Sequence, residues 1–196
     1  MKQLIGTVIT VLFFFCNQLS ATEKNKIIEN LKKINSLQFN FTQLSSDGQE
    51  NGNCILIYPK KMRCIYEDQK KEIIIKNDYL YLINKEENKN YNYSIKDTPL
   101  GVMLDKENLI EKLSNIEKFN ISNNFIIATV DISSTESVDI YFELKNFIIL
   151  GWRMKNYDKS TLEFMMKNFK FQIKNYKFSG LKNIFSVLKI VMPLAR

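Results

Sequence analysis

From residue 37 onward the chain alternates. Leu37, Phe39 and Phe41 fall on one side and Gln38, Asn40 and Thr42 on the other, the period of a strand with one buried face. A polar loop at Ser45–Gly48 leads into a second strand, about Gly52–Tyr58. Pro59 cannot donate to a ladder, so a turn is predicted there, with a third strand from Met62. Strands follow at Lys71–Lys76, Tyr79–Ile83 and Tyr91–Ile95, parted by Asn77-Asp78 and the charged loop Asn84–Asn90. Connections this short predict antiparallel pairing.

Helical spacing appears in two places. Before the first strand, Ile27, Ile28, Leu31 and Ile34 make one apolar face of a helix over Glu23–Ser36. After the sixth strand, Asp97-Thr98-Pro99 reads as a helix start, followed by Leu100, Met103 and Leu104. Asp105 can cap a second short helix carrying Leu109, Ile110 and Leu113. Two short helices inside a run of strands read as a cover over the open end of a sheet. Gly101 lowers helix propensity, which suits a segment that shifts. Strands then resume at about Lys118–Ser122, Phe125–Ile132, Ser137–Leu144, Ile148–Asn156, Thr161–Phe169 and Phe171–Tyr176. Beyond Gly180 the pattern fits either a helix or a buried strand.

The start of the chain changes the picture. Lys2, the apolar run Leu4–Phe15 and the small-residue site Leu19-Ser20-Ala21 read as a secretory signal peptide over residues 1–21, leaving one domain over residues 22–196. A short membrane anchor and lipidation at Cys16 are the alternatives. The chain is therefore expected in a bacterial periplasm. Its 28 basic and 21 acidic residues give a formal charge of +7, but the lysines are scattered through turns and outward positions. That argues against nucleic acid and for a solvated surface, with a positive rim that could aid docking near anionic membranes.

Candidate chemistry is sparse. The chain has no histidine, which removes the Ser-His-Asp and Cys-His arrangements and His-based metal sites. Glu86-Glu87 sit in a polar loop, and Asp105 and Glu107 are explained as helix-start residues. No enzyme, metal or cofactor is expected. Cys54 and Cys64 lie on neighbouring strands either side of Pro59, opposite each other or one step off. An oxidising compartment permits a disulfide if they are opposite. Otherwise they are two buried free thiols.

What stands out is a surplus of apolar face. About eleven strands with at most three helices fit an unclosed, mainly β barrel with a helical lid better than a closed barrel or a sandwich. The inward positions are Phe39, Phe41, Leu80, Leu82, Ile140, Phe142, Trp152, Met154 and Phe164. They form either an ordinary core or the wall of an apolar cavity.

One set of residues bears on that choice. Ile34 and Ser36 close the first helix, Phe39-Asn40-Phe41-Thr42-Gln43 follow, and then Asp47-Gly48, Gly52 and Tyr58-Pro59. Asp97–Leu104 (DTPLGVML) and Leu150–Met154 (LGWRM) come later in the same order. From about Thr22 to Lys170 the chain resembles the periplasmic outer-membrane lipoprotein carriers, the LolA-like proteins. The resemblance implies an unclosed antiparallel barrel plugged by helices, with a cavity for lipoprotein acyl chains. It implies a monomer that takes cargo from an inner-membrane lipoprotein-releasing ABC transporter and hands it to an outer-membrane acceptor lipoprotein. A regulator sensing lipid or envelope stress on the same scaffold is the second reading. Leu100, Met103, Leu104, Leu109, Ile110 and Leu113 would belong to the lid. In the family an arginine commonly precedes the proline of the second strand and tethers the lid through backbone carbonyls. Here Tyr58 stands in that place, with one donor against five, and Arg63 is the nearest substitute.

Overall fold

The computed structural model describes residues 22–117, 119–122, 124–155 and 160–172. Residues 1–21, predicted as a signal peptide, and the segment after Gly180 lie outside them. Residues 22–33 form helix α1. Six strands follow: β1 Ser36–Ser45, β2 Gly48–Ile57, β3 Lys61–Tyr66, β4 Lys71–Lys76, β5 Tyr79–Asn84 and β6 Lys89–Ser94. Helices α2 (Pro99–Leu104) and α3 (Lys106–Asn115) come next. The chain continues as β7 Asn120–Ser122, β8 Phe125–Asp131, β9 Ser137–Glu143, β10 Ile149–Lys155 and β11 Thr161–Phe171. Among the described residues no helix is long and apolar enough to cross a membrane.

All eleven strands join one antiparallel sheet in the order β6-β5-β4-β3-β2-β1-β11-β10-β9-β8-β7. Two meanders, β1–β6 and β7–β11, are zipped together by the β1–β11 pair. The two edges are β6 and β7, which do not pair, so the barrel stays open. The chain segment linking those edges contains α2 and α3. It must cross from one side of the opening to the other, and this is why the lid lies where it does.

The alternation translates directly into faces. Leu37, Phe39, Phe41, Cys54, Leu56, Met62 and Cys64 are buried on the concave side, together with Ile27, Leu31 and Ile34 of α1. Ile28 is only half-buried, at the margin of that stripe. Gly52 makes room for the aromatic core: a Cβ there would lie 2.6 Å from the Phe41 ring.

Two expectations need correcting. β2 begins at Gly48, not Gly52, because Ser45 pairs with Gly48 across a two-residue turn. Gln49–Asn51 look like loop because that end of the hairpin extends past the core, where polar residues suit both faces. The strands predicted at Thr161–Phe169 and Phe171–Tyr176 form, within the described residues, one strand, Thr161–Phe171. Between the pairs Gln38↔Lys170 and Asn40↔Lys167, β11 carries one extra residue. Asn168 sits there at φ 57°, in the left-handed region that asparagine tolerates. The bulge flips the parity and returns Phe169 to the Phe39 side, their rings 6.4 Å apart. A parity flip inside a strand reads, in sequence, as a strand break.

Candidate functional site: an apolar cleft beneath a tethered helix

The inward aromatics of β1, β10 and β11 pack on one another. Phe41 stacks on Phe164 with centroids 4.8 Å apart, and Trp152 stacks on Phe164 at 4.3 Å. Phe39 meets Phe164 edge-on at 6.2 Å. Phe41, Ile140 and Phe142 are fully buried and line neither of the two apolar spaces that border α2. The cavity expected to include them is narrower than the sequence suggested, because the aromatic floor and the helices fill that part of the barrel.

Space remains on one side. A cleft of about 310 Å³ opens between β3–β5 and β10–β11. Leu80 and Leu82 of β5 form one wall, Trp152, Met154, Leu162 and Phe164 the other. Met62, Cys64 and Ile73 form its base, and Leu100 reaches it from the first turn of α2. Five of the nine predicted cavity residues therefore line it: Leu80, Leu82, Trp152, Met154 and Phe164. A second void of only about 10 Å³ lies directly beneath α2, between Phe39, Leu56, Tyr58, Met103 and Leu104. Met62 and Trp152 border both spaces and form the partition between them.

Both predicted lid helices face the core. In α3, Leu109 and Leu113 are fully buried and Ile110 half-buried; in α2, Met103 and Leu104 are buried in the same cluster and Leu100 is half-buried. Helix α2 is a six-residue roof. Thr98 caps it, its hydroxyl accepting from Gly101 N, and Asp105 caps α3 by accepting from Asn108 N. Gly101 is also needed for close approach: a Cβ would fall 2.1 Å from the Ile95 carbonyl oxygen.

The turn after β2 holds the roof from below. The Tyr58 hydroxyl donates to Met103 O at 3.4 Å, a long hydrogen bond. Burial pushes the Tyr58 phenol well above the usual tyrosine range, with Glu107 adding to the effect. The Lys60 amide donates to Leu104 O at 2.9 Å. The Lys60 ammonium pairs with Asp78 at 2.9 Å and Asp105 at 3.2 Å, tying the β4–β5 turn to the α2–α3 junction. These contacts raise the Lys60 pKa, the Asp78 hydrogen bond most of all. Arg63 takes a different direction: it faces away from the helices, and its Nε donates to the buried Glu72 carboxylate at 2.7 Å. Lys60 escaped the sequence reading because nothing in a Tyr-Pro-Lys turn marks the lysine as facing the lid; its φ of 52° aims it there.

Cys54 and Cys64 are directly opposed on β2 and β3 and are bonded, joining the two strands under the cleft.

This architecture, an open sheet roofed by a tethered helix above an apolar cleft, has a counterpart in sequence. The family model described as outer membrane lipoprotein carrier protein LolA matches residues 32–179. The chain belongs to the LolA family. An uncharacterised conserved protein from Thermus thermophilus shares the fold of this LolA-family chain, with a TM-score of 0.50 and 8% identity over 83% of this chain and 92% of that one. A putative outer membrane lipoprotein-sorting protein domain from Vibrio parahaemolyticus gives 0.44 at 11% identity, covering 81% and 96%. A LolA superfamily protein from Nitrosomonas europaea gives 0.42 at 9% identity, covering 79% and 94%. No curated protein matches the sequence. In this chain the contacts from the turn after β2 to the α2–α3 segment come from the Tyr58 hydroxyl and, two residues on, the Lys60 amide and ammonium.

Proposed function

We propose that this protein is a periplasmic carrier that holds lipoprotein acyl chains in the cleft beside α2 and moves them from the inner to the outer membrane. The cleft itself carries the reading: an apolar, partly open space at the edge of helix α2, in a chain of the lipoprotein-carrier family. No bond need be made or broken. Each methylene left in water costs about 0.8 kcal/mol, so a chain of about fifteen costs roughly 12 kcal/mol and does not cross an aqueous space bare. The cleft lies at the low end of the roughly 300–1,000 Å³ typical of ligand sites, room for part of one chain. More cargo requires α2 to lift, which joins the cleft to the void behind Met62 and Trp152. The proposed partners are acylated lipoproteins, an inner-membrane lipoprotein-releasing ABC transporter and an outer-membrane acceptor, with the carrier acting as a monomer.

The experiment is a release assay. The mature chain is added to spheroplasts depleted of their own carrier, and the medium is probed for lipoproteins. The proposal expects lipoproteins to appear in the medium in proportion to added protein. Retention of all lipoproteins on the spheroplasts at every concentration would contradict it.

A further inference from the structure

The walls of the cleft are apolar, but its mouth is not. Tyr66 donates its hydroxyl to Gln43 Oε1 at 3.2 Å, and Gln43 Nε2 donates to Glu50 Oε2 at 3.1 Å. The other oxygen of Glu50 pairs with the Lys71 ammonium. That ammonium also lies over the Tyr66 ring, 4.3 Å from its centroid. Gln43, Tyr66 and Lys71 line the cleft, whereas Glu50 does not. Glu50 therefore holds the lysine from outside the cleft. An ammonium has three donors. One meets Glu50, so Lys71 keeps capacity for an acceptor inside the mouth.

The position of this charge is informative. Lys71 begins β4, at the end away from the β4–β5 turn, whereas Leu100 lies in α2, whose junction with α3 is tied to that turn through Lys60; the walls between are apolar. That is the layout of a site for an alkyl chain with a polar head at one end.

We propose that the cleft binds a single alkyl chain with its oxygen-bearing head, a carboxylate or an ester carbonyl, at Lys71 and its tail directed toward α2. Glu50 competes with that head for the same ammonium and so limits how tightly it is held. The proposal rests on the carrier reading of the cleft and adds the orientation of the chain and the chemistry of its head. A restrained grip suits handover, since an ammonium without a competing carboxylate would hold the head longer.

The test uses a reporter already present. Trp152 is the only tryptophan in the chain and lines the cleft, so bromine on a bound alkyl chain quenches its fluorescence. The mature protein is titrated with three brominated sixteen-carbon probes: a fatty acid, its glycerol monoester and an alkyl trimethylammonium. The fatty acid and the ester separate a free acid from an esterified chain as the source of the head. Lys71→Met is expected to weaken the fatty acid about five- to tenfold, as for loss of a part-exposed charged hydrogen bond, and the ester less. The cationic probe should bind unchanged or tighter. Glu50→Gln should tighten the fatty acid and not the cationic probe, giving a second variant if Lys71→Met folds poorly. Equal effects of both substitutions on all three probes would overturn the head assignment while leaving the cleft a lipid site. Absence of quenching by any probe would remove the carrier reading together with this proposal.

Discussion

Tyr58 and Lys60 divide one task, holding down α2, between a weak contact and a stronger one. At 3.4 Å the Tyr58 hydroxyl bond contributes well under the ~1 kcal/mol of an ordinary hydrogen bond. The Lys60 ion pairs are partly exposed and worth about 0.2–1 kcal/mol each. Tyr58→Phe should therefore speed release of a fluorescent acyl probe less than twofold, and Lys60→Met up to about fivefold, each with little loss of thermal stability. Stopped-flow release from the two variants measures this, and the reverse ranking would mean that the phenol is the main tether. Burial makes a separate prediction about pH. A raised phenol pKa means that the neutral form is favoured in the folded state, so this stabilisation is present below the unfolded tyrosine value, about 10, and fades only above it. Titrated to pH 10.5, wild type and Tyr58→Phe should show the same rise in tyrosinate absorbance. A smaller rise in the variant would place that hydroxyl in water. The cysteines belong to this scale too. Their bridge spans ten positions, and in the chain-entropy account a loop of that size is worth roughly 2–3 kcal/mol. Reduction should lower the denaturant midpoint accordingly, and an unchanged midpoint would contradict that.

Among the elements, α2 carries the argument for a moving part, and Gly101 tests it. In an exposed helix Gly→Ala gains about 0.5–1 kcal/mol. Here the added methyl would meet the Ile95 carbonyl oxygen at 2.1 Å. Gly101→Ala should thus push α2 off its seat, accelerating probe release and increasing protease cleavage near Pro99, while the remainder of the fold stays intact by circular dichroism. A variant that is more stable and slower to release would show that the helix has room. The sequence reached α2 and α3 through local signals, the Thr98 and Asp105 caps and Pro99, because capping is chemistry of adjacent residues. Most strands were legible for the same reason: alternation such as Val138-Asp139-Ile140-Tyr141-Phe142 is written into consecutive positions. The bulge at Asn168 was not legible, since it depends on the register against β1. Lys60, Lys71 and Glu50 were missed because charged residues in turns and at strand ends look alike until the sheet curls and brings them to the cleft and lid.

For the whole molecule, the decisive feature is that β6 and β7 never meet. Closure would have made a solid barrel. The open edges oblige α2–α3 to bridge the gap, and the bridge leaves an apolar cleft on the β5 side while the β9 side is filled. Inward alternation alone could not distinguish the two sides: Leu82 and Phe142 obey the same pattern, yet one lines space and the other is solid core. Which inward residues face cargo is set by the curvature of the sheet and the placement of α1 and α3, neither of which is local. The account's central claim is that acyl chains occupy the cleft at Leu82. A photoactivatable residue is placed at position 82, and as a control at the exposed, outward Asn53. Each protein is incubated with spheroplasts whose lipoproteins carry labelled palmitate, then illuminated. The account expects a labelled lipoprotein adduct from position 82 and none from position 53. Adducts from neither position, or equally from both, would contradict it.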